Sequence, residues 1–160
     1  MASDGKGRDE GRGVKKLLPP MTFLLCVALM VLRRWFWPIT MFASFRYNLL
    51  GLMPIILGQG MGIAGAITFR KARTNMRAFT EADTLVTAGP YRFTRNPMYL
   101  GLVVALTGVW LLLGSLSSLL AVPIFVVLAD RWFLGFEERM LKRKFGPTFE
   151  AYWANVRRWI

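Results

Sequence analysis

The run Leu49-Leu50-Gly51-Leu52-Met53-Pro54-Ile55-Ile56-Leu57-Gly58-Gln59-Gly60-Met61-Gly62-Ile63-Ala64-Gly65-Ala66-Ile67-Thr68-Phe69 carries no charge. A helix of that length rises about 30 Å, the thickness of a bilayer's hydrocarbon core. It therefore reads as a transmembrane helix, and it decides the fold class: all-α, a multi-pass membrane helical bundle. The 160 residues are 54% hydrophobic with a formal net charge of +12. That charge sits in short clusters between apolar runs, as the positive-inside rule produces, and not on one soluble domain as in a nucleic-acid reader. The implied partner is the lipid bilayer, with no nucleic acid.

Within this run Gly60-Met61-Gly62-Ile63-Ala64-Gly65 matches the dinucleotide fingerprint GxGxxG. The fingerprint works only at a strand-to-helix turn, and no strand precedes it here. Gly58, Gly62 and Ala66 recur every four residues, so close helix packing, within one chain or between two, is the preferred reading.

Outward from this helix, about four spans are expected, at 19–37, 49–69, 98–113 and 116–136. In the first, Arg33 and Arg34 would have to snorkel toward the interface. Residues 1–13, rich in Gly and charge, are expected to form a disordered tail, leaving 14–160 as a single domain. Segments 70–97 and 137–160 are basic and expected on the cytosolic side, with both termini cytosolic; the expected location is a bacterial inner membrane. Helix four should continue to Phe145, with Gly146 as cap and Pro147 opening a last amphipathic helix. On that helix Phe149, Tyr152, Trp153, Val156 and Ile160 share a face, with Arg157 and Arg158 off it, as in a helix lying on the membrane surface.

The chain has one cysteine, Cys26, inside an apolar run, and no histidine. A disulfide within the chain is excluded, as are His-based zinc sites and His general-base chemistry. No metal is expected. Chemistry must rest on carboxylates, tyrosines, arginines, backbone groups or a cofactor.

Two polar places stand out. Arg95-Asn96-Pro97-Met98-Tyr99 opens the third apolar helix and carries more hydrogen-bond donors than a helix cap requires. Glu137-Glu138 stands at the end of the fourth, where acids are functional candidates and a helix-end ion-pair network is the plain alternative. Because helices three and four form a hairpin, both places emerge on the same face of the membrane.

The stretch Gly89-Pro90-Tyr91-Arg92-Phe93-Thr94-Arg95-Asn96-Pro97-Met98-Tyr99-Leu100-Gly101, followed by Glu137-Glu138, Leu141, Phe145-Gly146, Tyr152, Val156 and Arg158, resembles the small integral-membrane methyltransferases. These form the isoprenylcysteine carboxyl methyltransferase and phospholipid methyltransferase superfamily, and the likeness covers about residues 70–160. It implies S-adenosylmethionine as methyl donor and a lipid-like acceptor entering from the bilayer. It also implies donor contacts from Thr84, Leu85, Val86, Tyr91, Asn96, Pro97, Met98 and Tyr99, with Glu137 and Glu138 on the donor's cationic parts. In the prenylcysteine enzymes an arginine thought to meet the substrate carboxylate lies four residues before the Glu pair; here that position is Phe133. Arg131 and Arg95 are the remaining candidates for the acceptor side. Phospholipid or small-thiol methylation, or a non-catalytic membrane role, are the alternatives.

Overall fold

The computed structural model describes residues 19–36, 45–72 and 84–160. Every regular element among them is helical: α1 (Pro19–Phe36), α2 (Leu52–Lys71), α3 (Pro97–Leu113), α4 (Ala121–Leu128), α5 (Gly135–Phe145) and α6 (Pro147–Asn155). Short helical turns at Phe45–Asn48 and Leu49–Gly51 lead into α2, and a 3-10 turn, Leu116–Leu120, leads into α4. The expected tail at 1–13 and the segment from 73 to 83 fall outside the described residues.

Three continuous helices are long and apolar enough to cross a membrane: Pro19–Phe36, Leu49–Lys71 and Leu116–Phe145. Pro97–Leu113 is apolar and slightly shorter. Apolar helices thus lie at all four places where spans were expected, three of them long enough to cross, and the chain is an integral membrane protein. The last rod, at 30 residues, is about 45 Å long and outruns the hydrocarbon core. Its far end, with Glu137 and Glu138, is thereby carried to the membrane boundary.

α2 and α3 lie backbone to backbone. A Cβ on Gly58 would stand 2.3 Å from the Gly101 carbonyl oxygen, and one on Gly51 2.4 Å from that of Gly108. On Gly65 it would meet Met98 Cγ at 2.8 Å. The close stripe is therefore Gly51, Gly58 and Gly65, one residue in seven, and not the expected Gly58, Gly62 and Ala66. Two helices crossing at a shallow angle meet again every second turn, whereas a four-residue step drifts around the cylinder. A Cβ on Gly60 or Gly62 would meet nothing within 4 Å. GxGxxG thus lies inside α2, away from any strand-to-helix turn.

α1 packs with α3 and α4 around Cys26, Met30, Tyr99, Leu106, Phe125, Ala129, Phe133 and Leu134. Far from the Glu137 end, Gly114 turns the chain with φ +62°, and Ser118 Oγ donates to the Met30 carbonyl at 3.1 Å. Between α4 and α5 the rod widens into a π turn, Ala129–Leu134. Such a turn shifts the register of everything after it. It buries Ala129, Phe133 and Leu134 together while leaving Asp130 half-buried.

Candidate functional site

The segment before α3 reaches its position through Gly89, whose φ is +60°. A Cβ there would come within 3.0 Å of Thr68 Oγ1, so glycine serves both the left-handed backbone and the close approach to α2. The following 3-10 turn, Gly89–Arg92, buries Tyr91, whose ring meets Phe69 edge-on with centroids 5.2 Å apart. Tyr152 of α6 donates to the Tyr91 carbonyl at 2.7 Å. Burial raises both phenols, that of Tyr152 to about 12, and for Tyr91 the nearby Glu137 adds to it. Both remain neutral donors near neutral pH.

Pro97 opens α3 and is buried, as suits a residue with no N–H at a helix start. Asn96 precedes it, yet its side chain makes no cap. Instead its Nδ2 donates to the Arg158 carbonyl at 3.1 Å, and its N–H donates to Thr94 Oγ1 at 3.2 Å. Thr94 Oγ1 in turn donates to the same Arg158 carbonyl at 3.0 Å, and the Arg95 N–H donates to the Arg157 carbonyl at 3.0 Å. One turn into α3, Tyr99 donates to Glu137 Oε1 at 2.8 Å. That bond joins the two polar places set apart by 38 residues in sequence.

The C-terminal segment closes the cluster. α6 ends at Asn155, and Val156 is extended, with φ −125° and ψ 130°. The expected helical face running through Val156 to Ile160 is therefore wrong: helical phase does not continue past Asn155. Freed from it, Arg158 turns inward. Its Nε donates to Glu138 Oε1 at 3.1 Å, its Nη2 to Glu138 Oε2, and its Nη1 to Asp130 Oδ1 at 2.9 Å. Trp159 Nε1 also donates to Asp130 Oδ1, at 3.2 Å. Hydrogen bonding to Glu138 is the main reason the Arg158 pKa is raised.

Arg95 Nη1 lies 3.3 Å from Glu138 Oε1, and the Arg95 side chain is only 8% exposed. Its guanidinium stands 4.9 Å from the Trp153 ring centroid, a cation–π distance. Arg95 Nε and Nη1 are buried without a hydrogen-bond partner. Burial lowers the Arg95 pKa, while Glu138 acts in the opposite direction.

Of the residues expected at the site, Tyr91, Arg95, Asn96, Pro97, Tyr99, Glu137 and Glu138 come together. Met98 is half-buried against Gly65. Thr84, Leu85 and Val86 run up to the turn exposed, half-buried and buried respectively. Arg131 is exposed and outside the hydrogen-bonded network. Phe133, 2% exposed, stacks on Tyr99 with centroids 6.3 Å apart, so an apolar ring stands where an acceptor-binding arginine was sought. Sequence reasoning assigned no role to Thr94, Trp159 or the inward side chain of Arg158. The π turn that positions Asp130 had no sequence signal.

In chemical terms the arrangement offers one carboxylate, Glu137, whose hydrogen-bond partner among the described residues is Tyr99 alone. Beside it are two buried aromatic rings and a guanidinium with unused donors. Such a set suits a ligand carrying both positive and negative groups.

The phospholipid methyltransferase family matches residues 47–148. Protein-S-isoprenylcysteine O-methyltransferase A of Arabidopsis thaliana is 32% identical over 111 residues, 66% of this chain and 55% of that protein. An uncharacterised protein of Haemophilus influenzae is 36% identical over 63 residues, 39% of this chain and 100% of that one. The solved eukaryotic intramembrane Ras methyltransferase, isoprenylcysteine carboxyl methyltransferase, superposes with a TM-score of 0.64 at 23% identity, over 88% of this chain and 51% of that one. The chain thus spans about half the length of the Arabidopsis relative and of the solved enzyme. The family match runs from before α2 through the Asn96-Pro97 helix start and the glutamate pair into α6, and on it the chain belongs to the phospholipid methyltransferase family.

Proposed function

We propose that the chain, as a single domain over 14–160, is a membrane methyltransferase that takes its methyl group from S-adenosylmethionine and transfers it to a lipophilic acceptor arriving from the bilayer. The observation that carries this reading is the Tyr99–Glu137 hydrogen bond at 2.8 Å, which sets a carboxylate beside the Asn96-Pro97 helix start. The donor has a sulfonium, an ammonium and a carboxylate. Glu137 suits the cationic groups, the Tyr91 and Tyr99 rings suit a cation or the adenine, and the unused Arg95 donors suit the carboxylate.

When bound, the donor supplies an activated methyl whose carbon–sulfur bond breaks as the acceptor's bond to carbon forms. The chain's own task is alignment and exclusion of water. Pro97 and the turn at Gly89 fix the segment, Asn96 is held by the C-terminal carbonyl of Arg158, and α6 covers Arg95. A carboxylate acceptor is ionised near neutral pH and needs no base, which accords with a chain lacking histidine.

Phe133, buried and stacked on Tyr99, favours a second reading of the acceptor. An apolar wall at that position suits a phospholipid or other lipid whose methylated group is not a prenylcysteine carboxylate. Arg131, exposed on the π turn, and Arg95, buried in the cluster, both stay candidates for the acceptor side. Under the positive-inside rule the basic segments favour a cytosolic side for the site and both termini, and a bacterial inner membrane is the proposed location.

The test is a methyl-transfer assay with radiolabelled donor over native membrane extracts. Label in a lipid fraction, absent with Glu137→Gln, supports the proposal. No label in any lipid, peptide or thiol fraction overturns it.

A further inference from the structure

Resting on the methyl-donor reading, we infer that the two adjacent glutamates divide the work: Glu137 meets the ligand, while Glu138 is locked away by Arg158, which acts as a positioning residue for the whole site. Both Glu138 oxygens accept from the Arg158 guanidinium, and Oε1 also faces Arg95 at 3.3 Å. Glu138 is 6% exposed. Two carboxylates, Asp130 and Glu138, are thus matched by two guanidiniums, Arg95 and Arg158, and the quartet balances its own charge. A carboxylate in such a set has little left to offer an ammonium or sulfonium.

Glu137 differs on each count. It is half-buried, it has no guanidinium partner among the described residues, and it accepts a neutral phenol. Any charge it carries is left unpaired by the quartet.

Arg158 acts on the site through both ends of the residue. Its carbonyl receives Thr94 Oγ1 and Asn96 Nδ2, fixing the segment that starts α3. Its guanidinium ties the π turn, through Asp130, to the first turn of α5, which fixes the rotation of α5 and so the direction of Glu137. No other described residue bonds to all three of these elements. Planar, forked donors make this possible, and a lysine cannot bridge two carboxylates in the same way.

The measurement is equilibrium binding of radiolabelled S-adenosylmethionine to the purified full chain, with melting temperature recorded for each variant. For Arg158→Lys, which keeps the charge, affinity is expected to fall about tenfold. Glu138→Gln should give a similar loss, and the double variant should lose no more than either single change, since both break one network. Glu137→Gln should weaken binding about tenfold on its own, and adding Arg158→Lys to it should cost clearly less than the product of the two losses, because the Arg158 guanidinium acts by aiming Glu137.

A purely structural Arg158 would lower the melting temperature and leave affinity unchanged well below it; that result overturns the inference. So does a Glu138→Gln loss that multiplies with that of Arg158→Lys, because Glu138 would then contact the ligand independently. Should Arg158→Lys fail to fold, Asp130→Asn loosens the same anchor from the other side and must also weaken binding. Absence of binding to the wild type overturns the methyl-donor reading itself, and this inference with it. Normal wild-type binding with unaffected variants overturns this inference alone.

Discussion

Tyr99 shows how one hydroxyl joins two remote parts of the chain. Its ring belongs to the core, stacked on Phe133, while its phenol holds Glu137. Tyr99→Phe keeps the packing and removes the hydrogen bond, so the fold should persist while donor affinity drops about tenfold, as expected for a lost bond to a charged group. Isothermal calorimetry beside a thermal melt separates the two effects. Tyr99, Asn96 and Glu137 were legible because their residue types are out of place beside apolar runs. Arg158 was not, because Arg157-Arg158-Trp159 looks like ordinary interfacial charge until α6 ends at Asn155 and the backbone turns the second arginine inward. Asn96 was read correctly as a helix start, but its amide serves the C-terminal segment and not the helix.

At the level of elements, the contact between α2 and α3 depends on side chains that are missing. Gly58→Leu drives carbon into the backbone of Gly101 and Ala105, which cannot yield as a side-chain end would. The expected cost is about 3 kcal/mol, the upper range for overpacking, seen as a lower unfolding temperature in detergent. Gly60→Ala, open on its side, should leave stability unchanged or raise it by about 0.5–1 kcal/mol through helix propensity. The apolar helices, the cap at Gly146 and the restart at Pro147 were readable from apolar length, glycine and proline. The packing register was not, since alternative small-residue stripes in one helix differ only in which face the partner takes. Nor was the π turn, because an added residue in a helical turn leaves the apolar composition of the rod unchanged.

For the whole molecule, the hairpin of α3 with the Leu116–Phe145 rod determines which parts share a side of the membrane. In a Cys26→Ala background, Phe93→Cys and Arg143→Cys should react with an impermeant thiol reagent from one side of sealed vesicles, and Leu116→Cys only from the other. Phe93 and Leu116 are 81% and 49% exposed, so side, not burial, decides the labelling. Reaction of Phe93→Cys and Arg143→Cys from opposite sides would break the topology. This arrangement turns two polar interruptions in an apolar sequence into one enclosed cluster, and the central claim is that the cluster binds the methyl donor through Glu137. Calorimetric titration of the purified chain with S-adenosylmethionine tests it most directly. We expect saturable binding at one site, with Kd between about 1 μM and 1 mM, weakened about tenfold or more in Glu137→Gln. No binding to the wild type, or equal affinity in Glu137→Gln, would contradict it.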